Sequence, residues 1–91
     1  MTKIEIVREI ASKTGLPTKD VLVIVESLME TIKTSMANGE EVFPRGFGSF
    51  IIKRRAEKTA RDISKNITVI VPAHDIPAFK PAKEFMDQVK G

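Results

Sequence analysis

Arg45-Gly46-Phe47-Gly48-Ser49-Phe50-Ile51-Ile52-Lys53-Arg54-Arg55 follows directly on the point at which this chain stops reading as helix and starts reading as strand. From Glu41 onward, Val42, Phe43, Phe47, Phe50, Ile51 and Ile52 are strand-favouring residues punctuated by Gly46 and Gly48. Pro44 lacks a ladder donor and belongs on an edge or at a bulge. A second strand-like run, Ile67-Thr68-Val69-Ile70-Val71, ends at Pro72, and Ser64-Lys65-Asn66 before it suits a turn because Asn tolerates left-handed geometry. After Phe79, Pro81 can open a short helix through Val89, with Phe85 and Val89 facing inward.

Upstream of this stretch the period is helical. Thr2 with Glu5 forms a capping-box pattern, and Ile6, Val7, Ile10 and Ala11 share one face of a helix running to about Thr14. Gly15 and Pro17 break it. Thr18 can cap a second helix that ends at Asn38-Gly39. Its apolar residues Val21, Leu22, Ile24, Val25, Leu28, Met29, Ile32 and Met36 cover an arc of roughly 160°, wider than one packing stripe requires. Such a face can cover its own core and a partner chain together. The order is helix, helix, strand, ribbon, strand, helix: an α+β domain with no repeat and no interdomain linker.

Charge narrows the function. The 91 residues carry 15 Lys+Arg against 12 Asp+Glu, a formal charge of +3. The surplus is local. Between Ile51 and Asn66 stand Lys53, Arg54, Arg55, Lys58, Arg61 and Lys65, opposed only by Glu57 and Asp62. Almost nothing from Lys53 to Asn66 can pack on a core, and a lone two-stranded hairpin is marginal in water. An anionic partner would give such an arm its order. Duplex DNA is one, because neutralising phosphates releases counterions and yields salt-sensitive binding.

Arg45 to Phe50, the arm cations Lys53, Arg55, Lys58 and Arg61, and Ile76-Pro77-Ala78-Phe79-Lys80-Pro81 resemble the bacterial HU and integration host factor family, without a gap over essentially the whole chain. The resemblance implies an intertwined dimer. Its helical body carries a saddle-like antiparallel sheet, two protruding β-ribbon arms (residues 53–70, roughly) follow the DNA minor groove, and a short helix closes each chain. The whole of 1–91 is then one DNA-binding domain that bends and compacts duplex DNA with little sequence preference, in the cytoplasm at the nucleoid. Phe47, Phe50 and Phe79 become core and dimer residues. Arg45, Lys53, Arg54, Arg55, Lys58, Arg61 and Lys65 become DNA contacts, and Lys3, Lys80 and Lys83 meet phosphates beneath the saddle. Gly48, Ser49 and the backbone opening the last helix donate to phosphates.

The sequence departs from the family's usual pattern at the arm and at the last helix. Ile63 stands where an arm-tip proline wedges between base pairs, and isoleucine also serves minor-groove benders as a wedge. Ala60 and Asn66 replace arm glycines, and Ala82 replaces a glycine before the last helix. Kinked or nicked duplex is then the favoured partner. The other chain of the dimer is an identical copy or a paralogue, and a site-preferring subunit of the integration host factor kind is the main alternative.

Other functions fit less well. Arg45-Gly46-Phe47-Gly48 copies the start of an RNA-recognition motif, but Ser49 stands where an aromatic is needed. No aromatic occurs between Ile51 and Ala78, which leaves RNA only weak, charge-driven binding of structured forms. A helix-turn-helix reading would turn Asp20, Glu26 and Glu30 toward phosphates. A protein-interaction module fits the second helix and leaves the basic arm unexplained. Catalysis and cofactors have no support: His74 is the only histidine, there is no cysteine, and no phosphate-binding glycine loop is present. No membrane-length apolar run occurs.

Overall fold

The computed structural model describes residues 1–62 and 64–91. Helix α1 spans Lys3–Thr14, and Thr2 caps it, its Oγ1 accepting from the Glu5 amide. The Gly15 amide closes it on the Ala11 carbonyl at 2.9 Å. Helix α2 spans Thr18–Ala37. The expected Thr18 cap is displaced by one residue: Pro17 is the N-cap, extended at ψ 138°, and Thr18 is already helical. The ring fixes φ of Pro17, and its carbonyl accepts from Asp20 and Val21 at 3.0 and 3.1 Å.

The core of the single chain is small. Val7, Val21 and Val25 are its buried side chains, with Ile10, Ala11 and Leu22 packed around them. Ile24 and Leu28 of the wide α2 face stay open, each 59% exposed.

The strand region differs from expectation at its start. Phe43 to Phe47 is a turn, not a strand, in which the Pro44 carbonyl accepts from the Phe47 and Gly48 amides. Only Val42 pairs, bridging to Phe50. Strand β1 is Gly48–Arg55, and its Val42-side edge is also met by Glu41, whose Oε2 accepts from the Ile52 amide at 2.8 Å. Strands β2 (Lys58–Asp62) and β3 (Ile67–Val71) form the arm hairpin. Asn66 turns it with φ 51°, the left-handed geometry expected there.

Strand β4 spans His74–Pro81, a stretch whose local sequence pattern does not signal a strand. It pairs antiparallel with β1 along its full length, from Gly48↔Pro81 to Arg55↔His74. Two prolines and the charged or polar His74, Asp75 and Lys80 hide it from a propensity reading, yet long-range pairing with β1 carries it. Pro81 accordingly ends a strand, and helix α3 begins two residues later, spanning Lys83–Lys90. Of its expected inward residues, Phe85 is half-buried, whereas Val89 is 74% exposed.

The ribbon is thus two sheets in one register. Arg55↔His74 closes the first and Lys58↔Val71 opens the second, leaving residues 56–57 and 72–73 opposite each other outside both ladders. Pro72 has no amide to offer, which suits the break. The radius of gyration is 18.6 Å, against about 12 Å for a compact chain of this length.

Candidate nucleic-acid interface

Side chains alternate across a sheet, so the β1–β4 register sorts the candidate residues onto two faces. One face carries Phe50 and Phe79, whose rings lie 4.9 Å apart, extended by Phe47 and Phe85. Phe50 and Pro77 of this face border a cleft with Ile32 and Met36 of α2, so it is the face turned to the helices. The other face carries Ser49 and Lys80, then Lys53, then Arg55 and His74. Ile51, Ala78 and Ile76 share this second face with the cations, so the pleat separates the phenylalanine cluster from Lys53, Arg55 and Lys80 but does not make the second face wholly polar.

Arg54 falls on the helix-side face with Asp75, and the two form an ion pair at 3.2 Å. It is therefore not grouped with Lys53 and Arg55, its immediate neighbours. His74 is a strand residue on the basic face, opposite Arg55. Sequence reasoning missed it because the strand that carries it was missed.

Gly48 is needed for close approach. A Cβ there would lie 2.6 Å from the Lys80 carbonyl oxygen and 2.6 Å from Cζ of Phe79. Its amide is engaged by Pro44 at 3.1 Å, so it is not a free donor. The Ala82 amide is likewise engaged, donating to Phe47 at 2.9 Å. That bond ties the start of α3 to the turn before β1. Lys83 and Glu84 then open α3 with no side-chain cap, and uncapped amides in a first helical turn favour an anion.

These pieces line a cleft of about 540 Å³ that includes Arg45, Gly48, Ser49, Lys80 and Ala82. It joins two exposed cations, a hydroxyl and a helix start. Lys83 is exposed at the same end of α3. Lys3 lies elsewhere, paired with Glu26 at 3.0 Å, with both side chains about half exposed. Such surface pairs are worth at most about 1 kcal/mol, so Lys3 is readily recruited by another anion.

On the arm, Arg61 faces Thr68 across the hairpin and its guanidinium donates to Oδ1 of Asn66. Lys58, Ala60 and Asp62 share the opposite face with Val71, Val69 and Ile67. Lys65 lies in the turn, exposed. Ile63, the expected wedge, lies outside the described residues. Asp62 organises the turn beside it. The Ser64 hydroxyl donates to its Oδ1 at 2.7 Å, and the Ser64 and Lys65 amides add bonds at 3.1 and 3.4 Å. The Ser64 hydroxyl chiefly holds the Asp62 carboxyl below its usual value, with burial acting the other way. A lowered carboxyl value means that this contribution to turn stability is present at neutral pH and is lost as pH falls through that value.

Among the described residues, no cluster of His, Cys, Asp and Glu is arranged to hold a metal, and no helix is long and apolar enough to cross a membrane.

Comparison with known proteins places this arrangement. The family described as bacterial DNA-binding protein matches residues 1–90. Integration host factor subunit beta of Marinobacter nauticus is 46% identical over 98% of this chain and 92% of its own length. DNA-binding protein HU of Thermus thermophilus is 37% identical over 99% of this chain and 93% of its own length. Among solved structures, the Anabaena HU chain of an HU–DNA cocrystal superposes with a TM-score of 0.93 at 31% identity, covering 98% of this chain and 97% of that one.

Proposed function

The chain belongs to the bacterial DNA-binding protein family of HU and integration host factor, non-enzymatic architectural proteins, and from that premise we propose how this member holds DNA. It acts as a dimer that lays the basic face of β1–β4 against duplex DNA and sends the β2–β3 arms along the minor groove. The observation that carries this reading is the segregation of Lys53, Arg55, Ser49 and Lys80 onto the sheet face opposite Phe50 and Phe79. Arm cations Lys58, Arg61 and Lys65 extend the contact, and Lys83 with the first turn of α3 holds a phosphate at its end.

Residues 1–91 serve as one DNA-binding domain. The contacts are to backbone phosphates, so affinity is high and sequence preference low. Ile63 inserts at a base step and bends the duplex, which makes kinked or nicked DNA the tighter ligand. Bending and compaction place the protein at the nucleoid in the cytoplasm. Binding of unrelated duplexes of equal length, followed by fluorescence anisotropy across a salt series, tests this. Similar affinities and parallel salt slopes are expected. Strong preference for one sequence would overturn it.

A second reading is favoured by the 46% identity to an integration host factor beta subunit. In it the partner is a paralogue and the pair prefers particular sites. Sedimentation of the purified chain alone separates the two, because a self-sufficient dimer supports the first reading.

A further inference from the structure

His74 has no part in the contacts described so far. It stands at the start of β4 directly across from Arg55, on the face that carries Ser49, Lys53 and Lys80. Its side chain is exposed. Where the two sheets of the ribbon meet, Arg55, Lys58, Val71 and His74 line a cleft of about 340 Å³.

The ring is oriented by one contact. Nδ1 lies 2.8 Å from the Pro72 carbonyl oxygen. A carbonyl only accepts, so Nδ1 carries the proton and donates. A neutral imidazole has one N–H, which leaves Nε2 as a bare lone pair. Toward an anion that lone pair is repulsive. Protonation places a hydrogen on Nε2 and a positive charge on the ring in one step.

The groups that face His74 are cationic or apolar: Arg55 from β1, Lys58 from β2 and Val71 from β3. Glu57 lies in the break, outside both ladders, and does not line the cleft. Asp75, next in β4, points to the opposite face and is held by Arg54 at 3.2 Å. Among the described residues, no carboxylate lines the cleft.

We propose that His74 is a pH-gated contact for a backbone phosphate of duplex DNA, joining Arg55 and Lys58 at the base of the arm. The proposal rests on the reading that this face of β1–β4 meets DNA. A phosphate beside the ring favours its charged form, so binding takes up a proton. By reciprocity, acidification tightens binding. The experiment spans about pH 5.5–7.5, where imidazole is the side-chain class that can gain or lose a proton and ammonium and guanidinium are not.

Anisotropy of a short labelled duplex at constant ionic strength, with the full-length protein and its His74→Gln and Arg55→Gln variants, tests this. The parent chain should bind roughly three- to tenfold tighter at the acid end, the scale of one charge-assisted hydrogen bond in a wet interface. The His74→Gln variant should be flat over the same range while matching the parent at the alkaline end. Titration calorimetry in buffers of different ionisation heat should register proton uptake for the parent and none for the variant. A variant that keeps the parent's pH response, or a parent that takes up no proton, overturns the proposal. Arg55→Gln should weaken binding at every pH. If it does not, the assignment of the face itself is wrong, a failure distinct from that of His74.

Discussion

Gly48 leaves no room for a side chain against Phe79: a Cβ built on it would lie 2.6 Å from Cζ of that ring and 2.6 Å from the Lys80 carbonyl oxygen. The Lys80 carbonyl is backbone and cannot rotate away. Gly48→Ala must therefore separate β1 from β4 or push Phe79 into Phe50, at a cost of about 1–3 kcal/mol. Urea unfolding at fixed protein concentration should show a lower midpoint. An unchanged midpoint would mean that the strand pair shifts freely, contrary to its packing.

The chain is expected to be an obligate dimer. It exposes 7628 Å², where a folded monomer of 10.1 kDa exposes about 5,300 Å². The protruding arm accounts for part of that excess, but Phe47 at 48%, Phe79 at 39% and Leu28 at 59% exposure lie in the body. Sedimentation at low micromolar concentration should find dimer alone, and unfolding midpoints should rise with concentration. A stable folded monomer would contradict this.

Arm charge is expected to act without regard to sequence. Neutralising Arg55 and Arg61 together should weaken binding to unrelated duplexes by a similar factor. The salt slope should become shallower by roughly one unit for each phosphate that is no longer neutralised. Arg54→Gln is the internal control. Its guanidinium is on the other face with Asp75, so its effect should be small beside that of Arg55→Gln. Equal effects from the two would show that the faces do not separate contact from support.

Ile63 is expected to bend the duplex. It is a large apolar residue between Arg61 and Lys65, which can hold the two backbones while it enters a base step. Unstacking costs a few kcal/mol and is offset by contacts that only a bent duplex allows. Ile63→Ala should reduce the bend seen by energy transfer between duplex ends, with little change in affinity for intact DNA. An unchanged bend would assign the bending to charge and wrapping.

Helices α1 and α2 and the Asn66 turn are legible because their signals are local: a capping residue, a 3.6-residue period, a side chain that tolerates positive φ. Strand β4 is not, because His74 to Pro81 becomes a strand only by pairing with β1. That one omission hid two site features. Without the register, Arg54 is indistinguishable from Arg55, and His74 looks like a solvated turn residue. The hydrogen bonds that engage the Gly48 and Ala82 amides are hidden for a related reason. Their partners, Pro44 and Phe47, belong to a turn that strand propensity had concealed.

The interruption at residues 56–57 and 72–73 has a mechanical consequence. No ladder hydrogen bond crosses it, so swinging the hairpin against the body breaks none. The width of the minor groove varies with base composition, and a rigid arm would convert that variation into selectivity. If the arms follow the minor groove as proposed, a jointed arm would meet wide and narrow grooves at nearly equal energetic cost. Low sequence preference, as proposed, would then be a matter of compliance in the protein as well as of phosphate chemistry.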